Sequence, residues 1–504
     1  MKHTKSVIFG LLLTSMLLSS CAKDPAVTPT ETNNAPAGTE AETEAVTEPG
    51  WHLTLPEVDM EGYNFRVLTL NTGAVGLTTV FQPEEETGEI LNDAIYKRNQ
   101  KISERYNVVF SQQGVDDYFT PSSMLKTAVL ADSDDFDLYY LVQREAYGLM
   151  LDGYVLRPDE LPHIDTTQPW YFQDMNEQLD ILGLPMMAYG ADSITSYENS
   201  AIMLFNKSLF GREDLGDPYE MVRSGSWTVD TVFSIAKSVV RDLNGDGKIN
   251  DYDQVGIVSE NDFVYASTLI CAEHPFVANI ESTPTFMPGS DDAMMSLMMK
   301  IADYRNSDGI IFDVFYDKCE QFAGYQEVTE AGRAVSDMIF STGNAAMRIT
   351  SIGALKNLRN MEDDFGVIPM PKYDENQKKY RTRAIGGLYG SVPSTTKNAE
   401  NISIILEALA AESYYNLMPA FCETVLKDKY SRDTDSAEML DLILSSLYQD
   451  LSDAIWVEAR SSFLPLFEAG KTNFASEAEK VAKKINKQIN NYIKKAEKII
   501  DGDN

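Results

Sequence analysis

The chain is poor in the residues on which most metal and thiol chemistry depends. It has only four histidines and four cysteines in 504 residues. His52, His163 and His274 lie far apart, with no HExxH or H-x-H pattern, so no transition-metal hydrolase site is readable. Cys21, Cys271, Cys319 and Cys422 show no CxxC spacing. Positive charge is scarce as well: 42 Lys and Arg stand against 77 Asp and Glu, a formal charge of −35. Such a surface repels nucleic acid and anionic lipid, and neither is expected as a partner.

The first residues are unlike the rest. Lys2, His3 and Lys5 precede an apolar run from Val7 to Leu18, too short to span a bilayer, which reads as a secretory signal over residues 1–20. It ends in Leu18-Ser19-Ser20-Cys21, which resembles a bacterial lipobox. That resemblance implies cleavage before Cys21, a lipid on its sulfur, and a protein held at the extracellular face of the cell membrane. An ordinary small-residue cleavage site is the alternative. With Cys21 lipidated, the other three cysteines are read as buried thiols, one disulfide being the other option. Residues 21–58 are rich in Thr, Glu, Ala and Pro, with no aromatic residue before Trp51. This composition cannot bury enough apolar surface to order itself and is read as a disordered tether.

The remainder of the chain, about 450 residues, exceeds one small core and fits two lobes. The 43% hydrophobic and 10% aromatic content of the full chain is that of a globular protein. Tyr63–Leu70 reads as a buried strand, residues 91–106 as a helix with Asn107 near its end, and Val108–Phe110 as the next strand. Phe136–Val142 is a further buried strand. Ligands of open α/β sheets bind beyond the carboxyl ends of strands, which selects Asn71, Thr72, Gln143 and Arg144 as candidate contacts. Each could equally be a solvated loop residue.

Trp227 precedes a helix with Val232, Ile235, Ala236 and Val239 on one face, and is read as a core residue beside the helix start. Next comes an Asp- and Asn-rich loop. Asp242, Asn244 and Asp246 occupy the first, third and fifth positions of a calcium-loop template, Gly247 the turn and Asp253 the twelfth. Lys248 and Asn250 fill the intervening ligand positions. A structural Ca²⁺ at 242–253 is expected, as a rivet and not a required cofactor; an ion-free polar turn is the alternative. Methionines 287, 294, 295, 298 and 299 are read as plastic core or lobe surface.

The stretch Phe340–Pro371 reads as strand, helix and strand: Ala345–Ile349, then Ala354, Leu355 and Leu358, then Phe365–Ile368 closed by Pro369 and Pro371. The final helix is expected to start with a capping box of Ser476 and Glu479, and to pack Val481, Ile485, Ile489, Ile493 and Ala496 on a lobe.

The Gly343-x-Ala345-Ala346-Met347 strand, the helix, Phe365-Gly366-Val367 and Pro369-x-Pro371 resemble a passage of the extracellular solute-binding proteins of sugar-importing ABC transporters, the maltose-binding-protein-like family. Leu184–Gly190 and Ser200–Lys207 resemble that family's crossing into its second lobe, with Phe205 where tyrosine is commoner. The segment Arg383–Pro393 is similar to its return strand. The resemblance implies a two-lobed periplasmic-binding-protein-like α/β fold, with open sheets joined by a hinge and a helical C-terminal part. Lobe 1 would hold residues 59–186 and 345–398, lobe 2 residues 187–344 and 399–504. It also implies a cleft lined by Tyr189 and Tyr389, with Trp456 near the family's sugar-stacking aromatic. The ligand would be an oligosaccharide passed to permease subunits. A secreted carbohydrate hydrolase using paired carboxylates, a binder of peptides or other solutes, and a helical starch-utilisation lipoprotein are the other readings.

Overall fold

Tyr63–Leu70 (β1) carries Phe65, Val67 and Leu68 at 0% exposure, an apolar density that only a strand covered on both faces accommodates. The computed structural model describes residues 55–72, 77–259, 263–314, 331–358, 360–427 and 434–502. The signal peptide, Cys21, nearly all of the tether and Cys319 lie outside the described residues. Residues 50–504 form one compact unit, and both large sheets belong to it.

In the first sheet β1 is flanked by parallel strands, Val108–Val115 (β2) and Leu138–Val142 (β3). The helix Ile90–Tyr106 connects β1 to β2 and stops at Asn107, whose left-handed backbone (φ 51°) caps it. Arg66 and Tyr63 both bind Asp137, which is buried just before β3.

The second sheet begins with Ala201–Asn206 (β4) and Val255–Ser259 (β5), beyond which Val277–Ile280 (β6) and Thr283–Phe286 (β7) form a separate hairpin. Ile311–Asp313 (β8), Ala345–Ser351 (β9) and Phe365–Ile368 (β10) complete it, in the order β10-β4-β9-β5-β8. Here the structure departs from the expected division of the chain. β9 and β10 both pair with β4, antiparallel, and so belong to the second sheet, not the first. The strand–helix–strand unit is present, but β4 is inserted between its strands and the connection, Ile352–Leu358, is a 3-10 helix. An apolar run reads alike whichever sheet buries it, so only pairing with distant β4 decides its lobe.

Thr382–Arg383 (β11) leads back toward the first sheet, where Leu388–Ser391 (β12) pairs antiparallel with β3. The helix Ala399–Glu412, expected in lobe 2, lies instead with the first sheet. Its Ile402, Ile405 and Leu409 pack with Phe65, Val67 and Ile102 of that sheet's core. Leu447–Tyr448 (β13) pairs parallel with β11.

Trp227 is fully buried, its indole N–H donating to the Pro369 carbonyl at 3.1 Å. Met294 and Met298 are core, whereas Met299 is 46% exposed. The last helix runs from Phe474 to Asp501, 28 residues, and starts at Asn473 with no side-chain cap, so the Ser476–Glu479 box does not form. It touches both halves of the molecule. Ala478 lies against Gly289 beyond β7, while Tyr492 packs on Tyr147 and Lys495 pairs with Asp152 of the helix after β3.

Glu407, on the Ala399–Glu412 helix, accepts from Trp170 Nε1 at 3.0 Å and Tyr171 Oη at 2.6 Å. Burial pushes its carboxyl from 4.5 to about 7, while the bonds from Tyr171, the Asp165 N–H and Trp170 pull the other way. A folded value above the unfolded one stabilises the chain fully below pH 4.5, and that contribution is lost as pH rises through about 7. The gap in melting temperature between Glu407→Gln and the parent should therefore shift in favour of the variant between about pH 5 and about pH 8. Parallel melting curves at every pH would contradict this.

Candidate functional site

β1, β2 and β3 are parallel, so their carboxyl ends share one edge. Asn71 and Thr72 follow β1, Asp116–Phe119 follow β2, and Gln143 and Arg144 follow β3. β12 is antiparallel, which brings Gly386 and Gly387 to the same edge. In the second sheet Ser259 ends β5 and Ser351 ends β9, and antiparallel β4 puts Glu198, Asn199 and Ser200 beside them. The two edges meet. Asn199 Nδ2 donates to the Gly386 carbonyl at 3.3 Å, and Leu388 N donates to Thr195 Oγ1 at 3.0 Å. Thr78, in the loop after β1, gives its N–H and hydroxyl to Glu198 at 2.6 and 2.7 Å.

Several expected contacts sit at the open rim. Asn71 is exposed and donates to Asp116 at 2.7 Å. The Asn71 carboxamide also fills the space beside Gly114, where a Cβ would come within 1.9 Å of it. Thr72 Oγ1 lies 3.1 Å from Thr79 Oγ1. The Arg144 side chain is 44% exposed, lies 5.2 Å over the Phe119 ring and approaches Glu145 at 3.5 Å.

The other candidates are interior. Gln143 and Gln449 exchange amide hydrogen bonds of 2.7 and 2.5 Å, which uses both functional atoms of Gln143. Tyr189 is fully buried, edge-on to Tyr389 at 5.1 Å. The Tyr389 hydroxyl accepts from Ala188 N at 3.2 Å. Trp456, expected as a sugar platform, is 3% exposed and packs edge-on against Tyr492 of the last helix. Burial under that helix is what removes it from the rim.

Sequence reasoning missed Tyr118 and Phe119, which are 42% and 44% exposed at the end of β2. Reading β2 to Val115 instead of Phe110 would have placed them. It also missed Glu198, whose carboxyl is raised by burial against the two hydrogen bonds from Thr78. Beneath the Thr78 loop a cavity of about 40 Å³ is lined by Thr69, Tyr140, Asp192 and Thr195, room for a few waters.

In the 242–253 loop, Asp242 accepts from the N–H groups of Gly245 and Gly247, Asn244 from Asp246, and Asp246 from Lys248. Asn250 accepts from Tyr252, and buried Asp253 holds the N–H groups of Leu243 and Asn250. No group of three His, Cys, Asp or Glu side chains suited to a metal is present among the described residues.

The Thr78–Glu198 clasp makes a quantitative prediction. Glu198→Ala should cost about 1.5–3 kcal/mol in urea unfolding, the worth of hydrogen bonds to a charged group. Thr78→Ala should add little in the Glu198→Ala background; full additivity of the two would show that they act independently.

No family model matches the chain, and no curated relative does. Solved structures do resemble it. One is a cyclo/maltodextrin-binding protein complexed with maltotetraose, at 14% identity over 86% of this chain and 99% of that one, TM-score 0.53. Another is UgpB from Mycobacterium tuberculosis in complex with glycerophosphocholine, at 14% identity over 85% and 99%, TM-score 0.51. With two open sheets whose strand ends face each other, the chain has the two-lobed, periplasmic-binding-protein-like fold of these solute-binding proteins.

Proposed function

We propose that this chain is a lipid-anchored extracellular solute-binding protein that captures a sugar or oligosaccharide between its lobes and passes it to an ABC importer. The observation that carries this reading is the meeting of two strand-end edges, the place where open α/β folds bind ligands. On the first edge, exposed Tyr118 and Phe119 stand beside Asn71, Thr72 and Arg144. Aromatic faces with a few directed polar groups suit a sugar ring, which has apolar faces and a hydroxyl rim. The relative bound to maltotetraose supports a saccharide. The one bound to glycerophosphocholine keeps a small polar phosphodiester as the competing cargo. Both are binding proteins, which supports a role without turnover. Capture at the membrane rests on the signal sequence and the lipid expected on Cys21.

Thermal melts of the full chain with maltooligosaccharides and with glycerophosphocholine test the cargo. A ligand at a hundredfold excess over its Kd adds about 2.7 kcal/mol to stability. An oligosaccharide should raise the melting temperature, and Phe119→Ala should weaken its binding roughly two- to tenfold, as expected for a lost aromatic contact. A shift with glycerophosphocholine alone would replace the sugar reading, and release of shorter sugars would favour a hydrolase.

A calcium ion in the 242–253 loop is a separate proposal, supported by its alternating oxygen donors. The exposed Asp242 and Asp246 are the carboxylates it would recruit, since Asp253 is committed inside. Millimolar calcium should raise the melting temperature of the chelator-treated protein, and Asp246→Ala should abolish the rise. No rise in the parent would identify the loop as an ion-free turn.

A further inference from the structure

A further cavity lies away from the strand-end edges. It is a hollow of about 570 Å³. Its lining comes from Pro169 and Tyr171–Asp174, from Lys378–Tyr380, from Tyr414 and Met418, and from Leu442 of the Thr434–Ser445 helix with Leu447 of β13. A volume in this range suits a small organic molecule, whereas the cavity below the Thr78 loop, about 40 Å³, takes only water.

We propose that this hollow is a second binding site, for a small aromatic or otherwise apolar anion. Its body is apolar: Phe172, Tyr414, Met418, Leu442 and Leu447 present rings and aliphatic groups, and Tyr414 remains 36% exposed. Its polar groups are mostly engaged elsewhere. Tyr380 Oη donates to the Val222 carbonyl at 3.1 Å, and Tyr171 Oη to Glu407 at 2.6 Å. Asp174 is neutralised by Lys379 at 3.2 Å and by Arg381. Lys378 is different: it is an exposed lining residue and forms no ion pair with a described residue. An apolar interior next to an uncompensated ammonium, with the nearby carboxylate already paired, selects against cations and in favour of an anionic head on an apolar body. This site shares no lining residue with the rim formed by Asn71, Thr72, Tyr118, Phe119 and Arg144.

The test uses the full chain and a matched pair of fluorescent probes, anilinonaphthalene sulfonate and its uncharged relative phenylnaphthylamine. The sulfonate should bind saturably, one per chain, and more tightly than the neutral probe. Lys378→Ala should weaken the sulfonate about two- to fivefold, the range of an exposed ion pair, and leave the neutral probe unchanged. Ser445→Trp, at an exposed position on the cavity wall, should displace both probes while the circular dichroism spectrum and melting temperature stay those of the parent. If that variant is destabilised, Tyr414→Ala with the same fold checks replaces it and should weaken both probes. Binding that is unsaturable, or indifferent to Ser445→Trp and Tyr414→Ala, would overturn the site. Equal affinity for the two probes would overturn its preference for an anion.

Discussion

Every part of this structure depends on pairing the polar groups of the segments that pass between the two sheets. A chain that leaves one sheet for the other carries its backbone N–H and carbonyl groups through the interior, where an unpaired group costs a few kcal/mol. Here the pairing is mutual. Ser200 bridges to Ala384, Ile385 N donates to the Asn199 carbonyl, and β11 pairs with β13 immediately before the return strand. Side chains finish the task where backbone cannot. Gln143 at the end of β3 and Gln449 just after β13 satisfy each other's amides, and Thr195 and Asn199 serve the loop of Gly386 to Leu388. Gly387 belongs here because a Cβ would stand 2.5 Å from Ser196 Oγ. The strand-end edges meet because these crossings hold them together.

A buried charge group reinforces the same region. Arg383 on β11 makes a two-pronged contact with Asp453 at 2.7 Å through both Nε and Nη2, and Arg460 reaches the same carboxylate at 3.0 Å. Asp450 receives the N–H groups of Phe276, Val277 and Ser452. Burial, with Asp453 nearby, pushes the Asp450 carboxyl up to about 7. Arginines and carboxylates at this depth are retained only with such dense pairing. The result ties the C-terminal segment to the return strand.

Much of the scaffold is legible in the sequence because it rests on local periodicity. Tyr63–Leu70, the helix ending at Asn107 and the Trp227 core position follow from patterns a few residues long. The misreadings share one cause, dependence on a distant partner. β2 is an edge strand whose Gln112, Gln113 and Gly114 face solvent, so its second half lacks the apolar alternation of a buried strand and gives no sign of where Tyr118 and Phe119 fall. β9 and β10 read into the wrong lobe because their partner, β4, lies far away in sequence. Trp456 reads as a surface platform because the ring that covers it, Tyr492, belongs to the last helix. Asn71, Thr72 and Arg144 are locatable from strand ends alone, since that rule is geometric and local.

That last helix has a mechanical consequence. Its first half rests on Gly289, just beyond the separate β6–β7 hairpin, and its second half on Tyr147 and Asp152, which follow the first sheet's β3. A single rod fastened at both ends is a splint and not a passive cover. Any change in the angle between the parts it joins must either bend the rod or slide Tyr492 across Tyr147. Its long hydrogen-bonded axis resists the first, so any such change would fall on the contact between Tyr147 and Tyr492.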